Sequence, residues 1–226
     1  MDYILEIDDV ISKEFCEDVI SRFELDERKT NGETIGGLRE DIKKSTDLPI
    51  SMPELRQDWK DVIDKVGECV SQGLQTYQRY VNEEGLDRCF ALANTIEACT
   101  IGLPQIQKTE KNGFYTWHHD GHLNRILTYI IYLNDVEESA GGSTDFLCGK
   151  KIQPKTGKLV IFPANLTYLH RGAKLKNGVK YLATNFIYHG LPIFSHPAEK
   201  NKESNKFKIN PIEEEPEPPI PENDDI

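Results

Sequence analysis

The order of hydrophobic patterns along this chain predicts an α+β fold that is mainly β: a β-sandwich or jelly roll buttressed by helices. Three observations carry that expectation. Apolar residues recur at helical spacing through the first third of the chain. From Ala98 onward, short runs of β-branched and aromatic residues take over. Turn signals separate those runs, including Lys111-Asn112-Gly113, Ala140-Gly141-Gly142, Pro163-Ala164-Asn165 and Lys176-Asn177-Gly178. Helices gathered ahead of strands suit helix layers on a sheet rather than alternating βαβ units. No internal repeat is apparent.

Residues 3–8 alternate weakly and read as an edge strand. Ser12 is placed to cap a helix over Lys13–Leu25, with Phe15, Val19, Ile20 and Phe23 on one face. The polar stretch Asp26 to Ser51 follows, and a connection of that length reads either as a functional lid or as a mobile surface loop. Pro53 marks a helix start. Leu55, Trp59, Val62, Val66, Cys69, Val70, Leu74, Tyr77 and Val81 form one apolar stripe, the mark of a long helix covering a sheet. Gly85 is the expected stop. The β-type runs are Ile101 to Thr109, Phe114 to His118, Ile126 to Leu133, Leu159 to Phe162 and Tyr181 to Tyr188. Residues 196–226, acidic and Pro-rich, carry too little apolar surface to offset the entropy of ordering and read as a solvated, disordered tail. Residues 1–195 are then the folded domain.

The 226 residues carry a formal net charge of −11, which opposes attraction to phosphates and makes nucleic acid a poor partner. Nothing has the length and hydropathy of a membrane span. The first residues lack the basic and apolar regions of a secretory signal. Cys16, Cys69, Cys89, Cys99 and Cys148 are odd in number and never in CxxC spacing, so reduced thiols and a cytoplasmic location are expected. Oligomeric state is not legible.

The chemistry centres on Trp117-His118-His119-Asp120. Two histidines and one carboxylate that leave open positions are the ligand set of non-haem Fe(II) oxygenases. If His118 ends a strand, His118 and Asp120 share a side and His119 points away. His170 is a distant second imidazole. On the run from Ile126, Leu127, Tyr129, Ile131 and Leu133 make an apolar face toward helices. Thr128, Ile130 and Tyr132 face the other way, where two hydroxyls need partners. An Asn177-Gly178 hairpin would pair Leu175 with Lys180 and leave His170 and Lys180 on opposite faces. If both act in one site, the connection must instead cross between two sheets.

Several segments together resemble the Fe(II)/2-oxoglutarate-dependent prolyl 4-hydroxylase family. These are His118-x-Asp120, the run Arg125-Ile126-Leu127-Thr128-Tyr129-Ile130-Ile131-Tyr132-Leu133-Asn134, the turn Gly141-Gly142-Ser143-Thr144-Asp145-Phe146, the run Leu159-Val160-Ile161-Phe162-Pro163, and His170 with Lys180. Phe15-Cys16-Glu17, within Ile7 to Ile20, is similar to the opening of that catalytic domain. The resemblance spans roughly residues 3–190. It implies a double-stranded β-helix (jelly roll) with N-terminal helices packed on the major sheet. It also implies Fe(II) held by His118, Asp120 and His170.

Lys180, with Tyr132 and Thr128, is implied to grip the distal carboxylate of 2-oxoglutarate, since a buried carboxylate requires a paired cation. Thr109 stands where family members often carry a tyrosine that contacts 2-oxoglutarate. Gly-Gly-Ser-Thr replaces the common Gly-Gly-Glu-Thr. Gln107, Tyr115, Trp117 and Arg171 are candidate substrate contacts near the mouth. The implied enzyme is a 2-oxoglutarate-dependent dioxygenase, procollagen-proline 4-dioxygenase-like. It would use O2, with ascorbate as reductant, to hydroxylate proline in a peptide or protein and release succinate and CO2. The alternatives are oxidation of a free amino acid or other small molecule, and an idle binding module on the same fold. No nucleic-acid or membrane partner is expected.

Overall fold

The computed structural model describes residues 3–34, 36–83 and 98–192. The expectations for Gly85, Cys89 and residues 196–226 lie outside them. In chain order the strands are β1 (Leu5–Ile7), β2 (Thr30–Asn31), β3 (Lys43–Lys44), β4 (Thr46–Leu48), β5 (Cys99–Ile101), β6 (Gln105–Thr109), β7 (Phe114–His118), β8 (Arg125–Tyr132), β9 (Thr144–Phe146), β10 (Lys151–Ile152), β11 (Leu159–Pro163), β12 (His170–Gly172) and β13 (Lys180–His189). The helices are α1 (Lys13–Leu25), α2 (Pro53–Arg56) and α3 (Lys60–Glu83).

These strands build a double-stranded β-helix from two antiparallel sheets. The major, eight-stranded sheet runs β1-β11-β8-β13-β6-β4-β2, with β5 also on β13; the minor, five-stranded sheet runs β10-β9-β12-β7-β3. β8 alternates as its sequence demands. Leu127, Tyr129, Ile131 and Leu133 join Val66, Val70 and Leu74 of α3 in one core, on the helix side of the major sheet. Ile130 and Tyr132 join Phe146, Ile152 and Phe162 in a second core between the sheets. Gly73 of α3 permits a close approach, because a Cβ there would stand 2.5 Å from Leu159 Cδ2. Ser12 accepts from the Phe15 amide at 3.3 Å and caps α1, as its side-chain chemistry predicts.

The structure departs from the sequence-based expectations in four places. The stripe from Leu55 is not one helix: α2 ends at Arg56 and α3 begins at Lys60. The Trp59 amide still bonds the Leu55 carbonyl at 3.1 Å, which keeps the apolar stripe in phase across the break. The run Ile101 to Thr109 is two strands, β5 and β6, split at Gly102-Leu103-Pro104, where Pro104 lacks an amide for the ladder. Asn177-Gly178 closes no hairpin. After β12 the chain leaves the minor sheet and enters the major sheet as β13, the crossing that a shared site for His170 and Lys180 requires.

The fourth departure is Asp26 to Ser51, which is not a plain loop. Its short strands extend both sheets, β4 on β6 and β3 on β7. A buried ion pair holds it: Lys43 Nζ lies 2.6 Å from Asp47 Oδ2, and Ser45 donates to the other Asp47 oxygen at 2.8 Å. Sequence polarity misled here because two charged side chains, each about a twentieth exposed, satisfy one another inside. Asp47→Ala should destabilise the fold by roughly 3–5 kcal/mol, since one partner of a buried ion pair is removed and an ammonium is left unpaired. Denaturant unfolding of both proteins checks this; an unchanged midpoint would show that water replaces the carboxylate.

Candidate metal centre and cavity

His118 is the last residue of β7 and His170 the first of β12, and the two are directly paired across the ladder. Their rings lie 4.2 Å apart. Asp120 follows two residues after β7. Its Oδ1 is 3.7 Å from His118 Nε2 and its Oδ2 is 3.4 Å from His170 Nε2. One donor atom from each of the three lies within 4.8 Å of the others. Three bonds of about 2 Å to a common ion span such distances. The ring nitrogens facing away are engaged: His118 Nδ1 meets the Thr116 carbonyl at 2.7 Å and His170 Nδ1 the Tyr168 carbonyl at 3.0 Å. A carbonyl only accepts, so each Nδ1 carries the proton and each Nε2 keeps its lone pair for a metal. Burial, with His170 alongside, pushes the His118 imidazolium down to about 4 against the pull of Asp120. His118 is therefore neutral and available as a ligand near pH 7. The donor set fits a facial triad with mixed N and O ligands.

The triad opens into a cavity of about 460 Å³ between the sheets. Tyr115 and His118 both face it although they are three residues apart. The β7–β12 ladder slips between Gly172 and His170, so that His118 opposes His170 while Tyr115 opposes Gly172. Such a bulge re-aims side chains. Tyr115 stacks on His118 with ring centres 3.6 Å apart, and burial raises its phenol to about 12, keeping it protonated.

Lys180 opens β13, is 4% exposed, and faces Thr109 across the β6–β13 ladder. Its ammonium donates to the Gly142 carbonyl at 2.8 Å. Gly141 and Gly142 both take positive φ, 75° and 72°, a turn that suits glycine and aims that carbonyl inward. Burial pushes Lys180 down to about 8, with Asp145 pulling the other way.

Gln107 and Thr109 line the cavity. Other side chains differ from expectation. The Thr128 hydroxyl donates to Asp120 Oδ2 at 2.7 Å, so it serves the triad rather than the Lys180 end. The Tyr132 hydroxyl bonds Thr144 Oγ1 at 2.6 Å, which puts Thr144, not Tyr132, at the cavity wall. Trp117 and Arg171 do not line the cavity. Trp117 is 43% exposed, with the Arg171 guanidinium stacked 4.8 Å from its ring centre. Arg171 also donates to Asp145 Oδ2 at 2.8 and 3.0 Å. Both flank the paired ligands His118 and His170 in sequence, so strand alternation sends them to the opposite face. His119 is exposed beside the cavity and outside the donor cluster.

Thr144 and Arg125 are among the wall residues not singled out from the sequence. Thr144 belongs to the quoted Gly-Gly-Ser-Thr turn, and that turn was the available signal. Arg125 opens β8 with its guanidinium 3.7 Å over the Phe186 ring, and no carboxylate among the described residues pairs with it. A lone arginine before an apolar run gives no such signal.

Residues 104–188 match the family model of the 2OG-Fe(II) oxygenase superfamily. Procollagen-lysine,2-oxoglutarate 5-dioxygenase 2 of Homo sapiens is 39% identical over 74 residues, which are 31% of this chain and 10% of that protein. The Mus musculus enzyme of that name matches equally. The chain thus spans only about a tenth of the curated relatives it matches. Among solved structures, a prolyl hydroxylase from Trichoplax adhaerens, in complex with a hypoxia inducible factor peptide fragment, superposes with a TM-score of 0.65 at 16% identity, covering 84% of each chain. The viral collagen prolyl hydroxylase of Paramecium Bursaria Chlorella virus-1, as its 2OG complex, gives 0.55 at 23% identity, covering 84% of this chain and 97% of that one. A Pseudomonas putida prolyl-4-hydroxylase gives 0.58 at 14% identity, covering 83% of this chain and 94% of that one. At these identities the structures speak for the fold.

Proposed function

We propose, from the match of residues 104–188 to the 2OG-Fe(II) oxygenase superfamily model, that this chain is a 2-oxoglutarate-dependent hydroxylase of proline in a peptide or protein. The observation that carries the reading is one cavity with the His118, Asp120 and His170 donors at its wall and the buried Lys180 ammonium facing it too. His118, Asp120 and His170 would hold Fe(II). The bound ion supplies the redox chemistry that couples 2-oxoglutarate decarboxylation, to succinate and CO2, with C–H hydroxylation.

The chain's own part is to bind, orient and exclude water. Lys180 pairs with the distal carboxylate of 2-oxoglutarate, with Thr109 and Thr144 beside it as hydroxyl partners. Tyr115 and the Arg125–Phe186 stack offer an aromatic wall and a guanidinium. An extended proline segment, already ordered and rich in bare carbonyls, suits that pairing.

Lysine in a peptide is the second reading, favoured by the 39% identity to a procollagen-lysine dioxygenase. The test is incubation with proline-rich peptides, lysine-bearing peptides and free amino acids in Fe(II), 2-oxoglutarate and ascorbate, read by tandem mass spectrometry. One added oxygen on proline is the expected result. Oxygen on lysine alone selects the second reading, and succinate release stimulated only by a free amino acid overturns both.

The Lys180 environment sets a pH dependence. Below about pH 8 the free protein already carries the ammonium, so 2-oxoglutarate affinity should be flat. Above it, binding must first take up a proton, and affinity should fall by up to tenfold per pH unit. Calorimetry across pH 6.5 to 9.5 (order-of-magnitude range around the lysine's shifted value) reads this directly. An affinity unchanged to the alkaline end would mean that Lys180 stays charged without its ligand.

A further inference from the structure

We propose that Thr128 is the positioning residue for the Asp120 carboxylate, its hydroxyl fixing how that carboxylate faces the two imidazoles. Asp120 sits after β7 in a loop, whereas His118 and His170 are held in strands and by carbonyls on Nδ1. A carboxylate on a loop rotates freely unless something holds it. Thr128 stands on β8 of the major sheet, between Phe162 of β11 and Phe186 of β13, and is 3% exposed. Its hydroxyl donates to Asp120 Oδ2 at 2.7 Å and makes no other hydrogen bond among the described residues. A buried hydroxyl without an acceptor is costly, so the bond is maintained. It ties a ligand of the minor-sheet side to the rigid centre of the major sheet. It also directs Oδ1 toward His118 and Oδ2 toward His170.

This inference rests on the proposed ligand set, and the test separates the two. Wild type, Thr128→Val, Thr128→Ala and Thr128→Ser are titrated with Mn(II), and affinity and the electron paramagnetic resonance spectrum of the bound ion are recorded beside the melting temperature. Loss of an outer hydrogen-bond partner weakens a metal by about 10–100-fold. Thr128→Val and Thr128→Ala should both show that loss with an altered spectrum, and Thr128→Ser should restore both. Val adds no bulk and Ala removes some, so agreement between them excludes a packing effect. Wild-type affinity and spectrum in either folded variant overturn the proposal. Failure of wild type itself to bind Mn(II) overturns the ligand set, and the role of Thr128 with it.

Discussion

His170→Ala should abolish turnover and weaken metal binding by more than the roughly hundredfold upper range seen for outer-shell partners. Three features make this imidazole hard to replace. It is 5% exposed. Phe162 meets it edge-on at 4.8 Å, and Phe146 lies 5.7 Å away. Its Nδ1 is held by the Tyr168 carbonyl, which fixes the ring with Nε2 toward Asp120. His118→Ala should behave alike, while His119→Ala and His122→Ala should bind metal as wild type does. Anaerobic titration with Fe(II) and 2-oxoglutarate, following the visible charge-transfer band, reads all four. A normal band in His170→Ala would sink the ligand assignment.

Lys180→Ala should weaken 2-oxoglutarate by roughly 3–5 kcal/mol, the cost of stranding one partner of a buried ion pair. That is about two to three and a half orders of magnitude in affinity. Metal affinity should change far less, because Lys180 belongs to the β6–β13 side of the cavity and makes no hydrogen bond to the triad. Calorimetry on the manganese-substituted protein separates the two effects. Equal 2-oxoglutarate affinity in both proteins would mean that another cation, with Arg125 and Lys43 also on the wall, takes the carboxylate.

Much of this site was legible in the chain because its strands obey short-range rules. Phe114–His118 is the strand expected, residue for residue, and β8, β11 and β13 differ from expectation only at their ends. Period-two alternation in β8 correctly assigned Tyr129 and Ile131 to the helix side and Tyr132 to the interior. Alternation alone fails for β7, where the bulge turns Tyr115 and His118 to the same cavity. It also leaves open which partner a buried hydroxyl finds. Thr128 and Tyr132 were both expected at the Lys180 end, yet one bonds Asp120 and the other Thr144.

The amino-acid order by itself determined α1, the apolar stripe shared by α2 and α3 and the major strands, because each depends on spacing within a few residues, while the family resemblance singled out His118, Asp120 and His170 as candidate donors. Only the tertiary structure decided which groups share a cavity. Pairing β12 with β7 sets His170 opposite His118, and the crossing to the major sheet carries Lys180 into the same interior. The same pairing sends Trp117 and Arg171 outward, and β3 on β7 with β4 on β6 folds the charged Lys43–Asp47 segment in. These outcomes depend on contacts between residues tens of positions apart, where hydrogen-bond register and the burial of one charge against another outweigh the local character of each side chain.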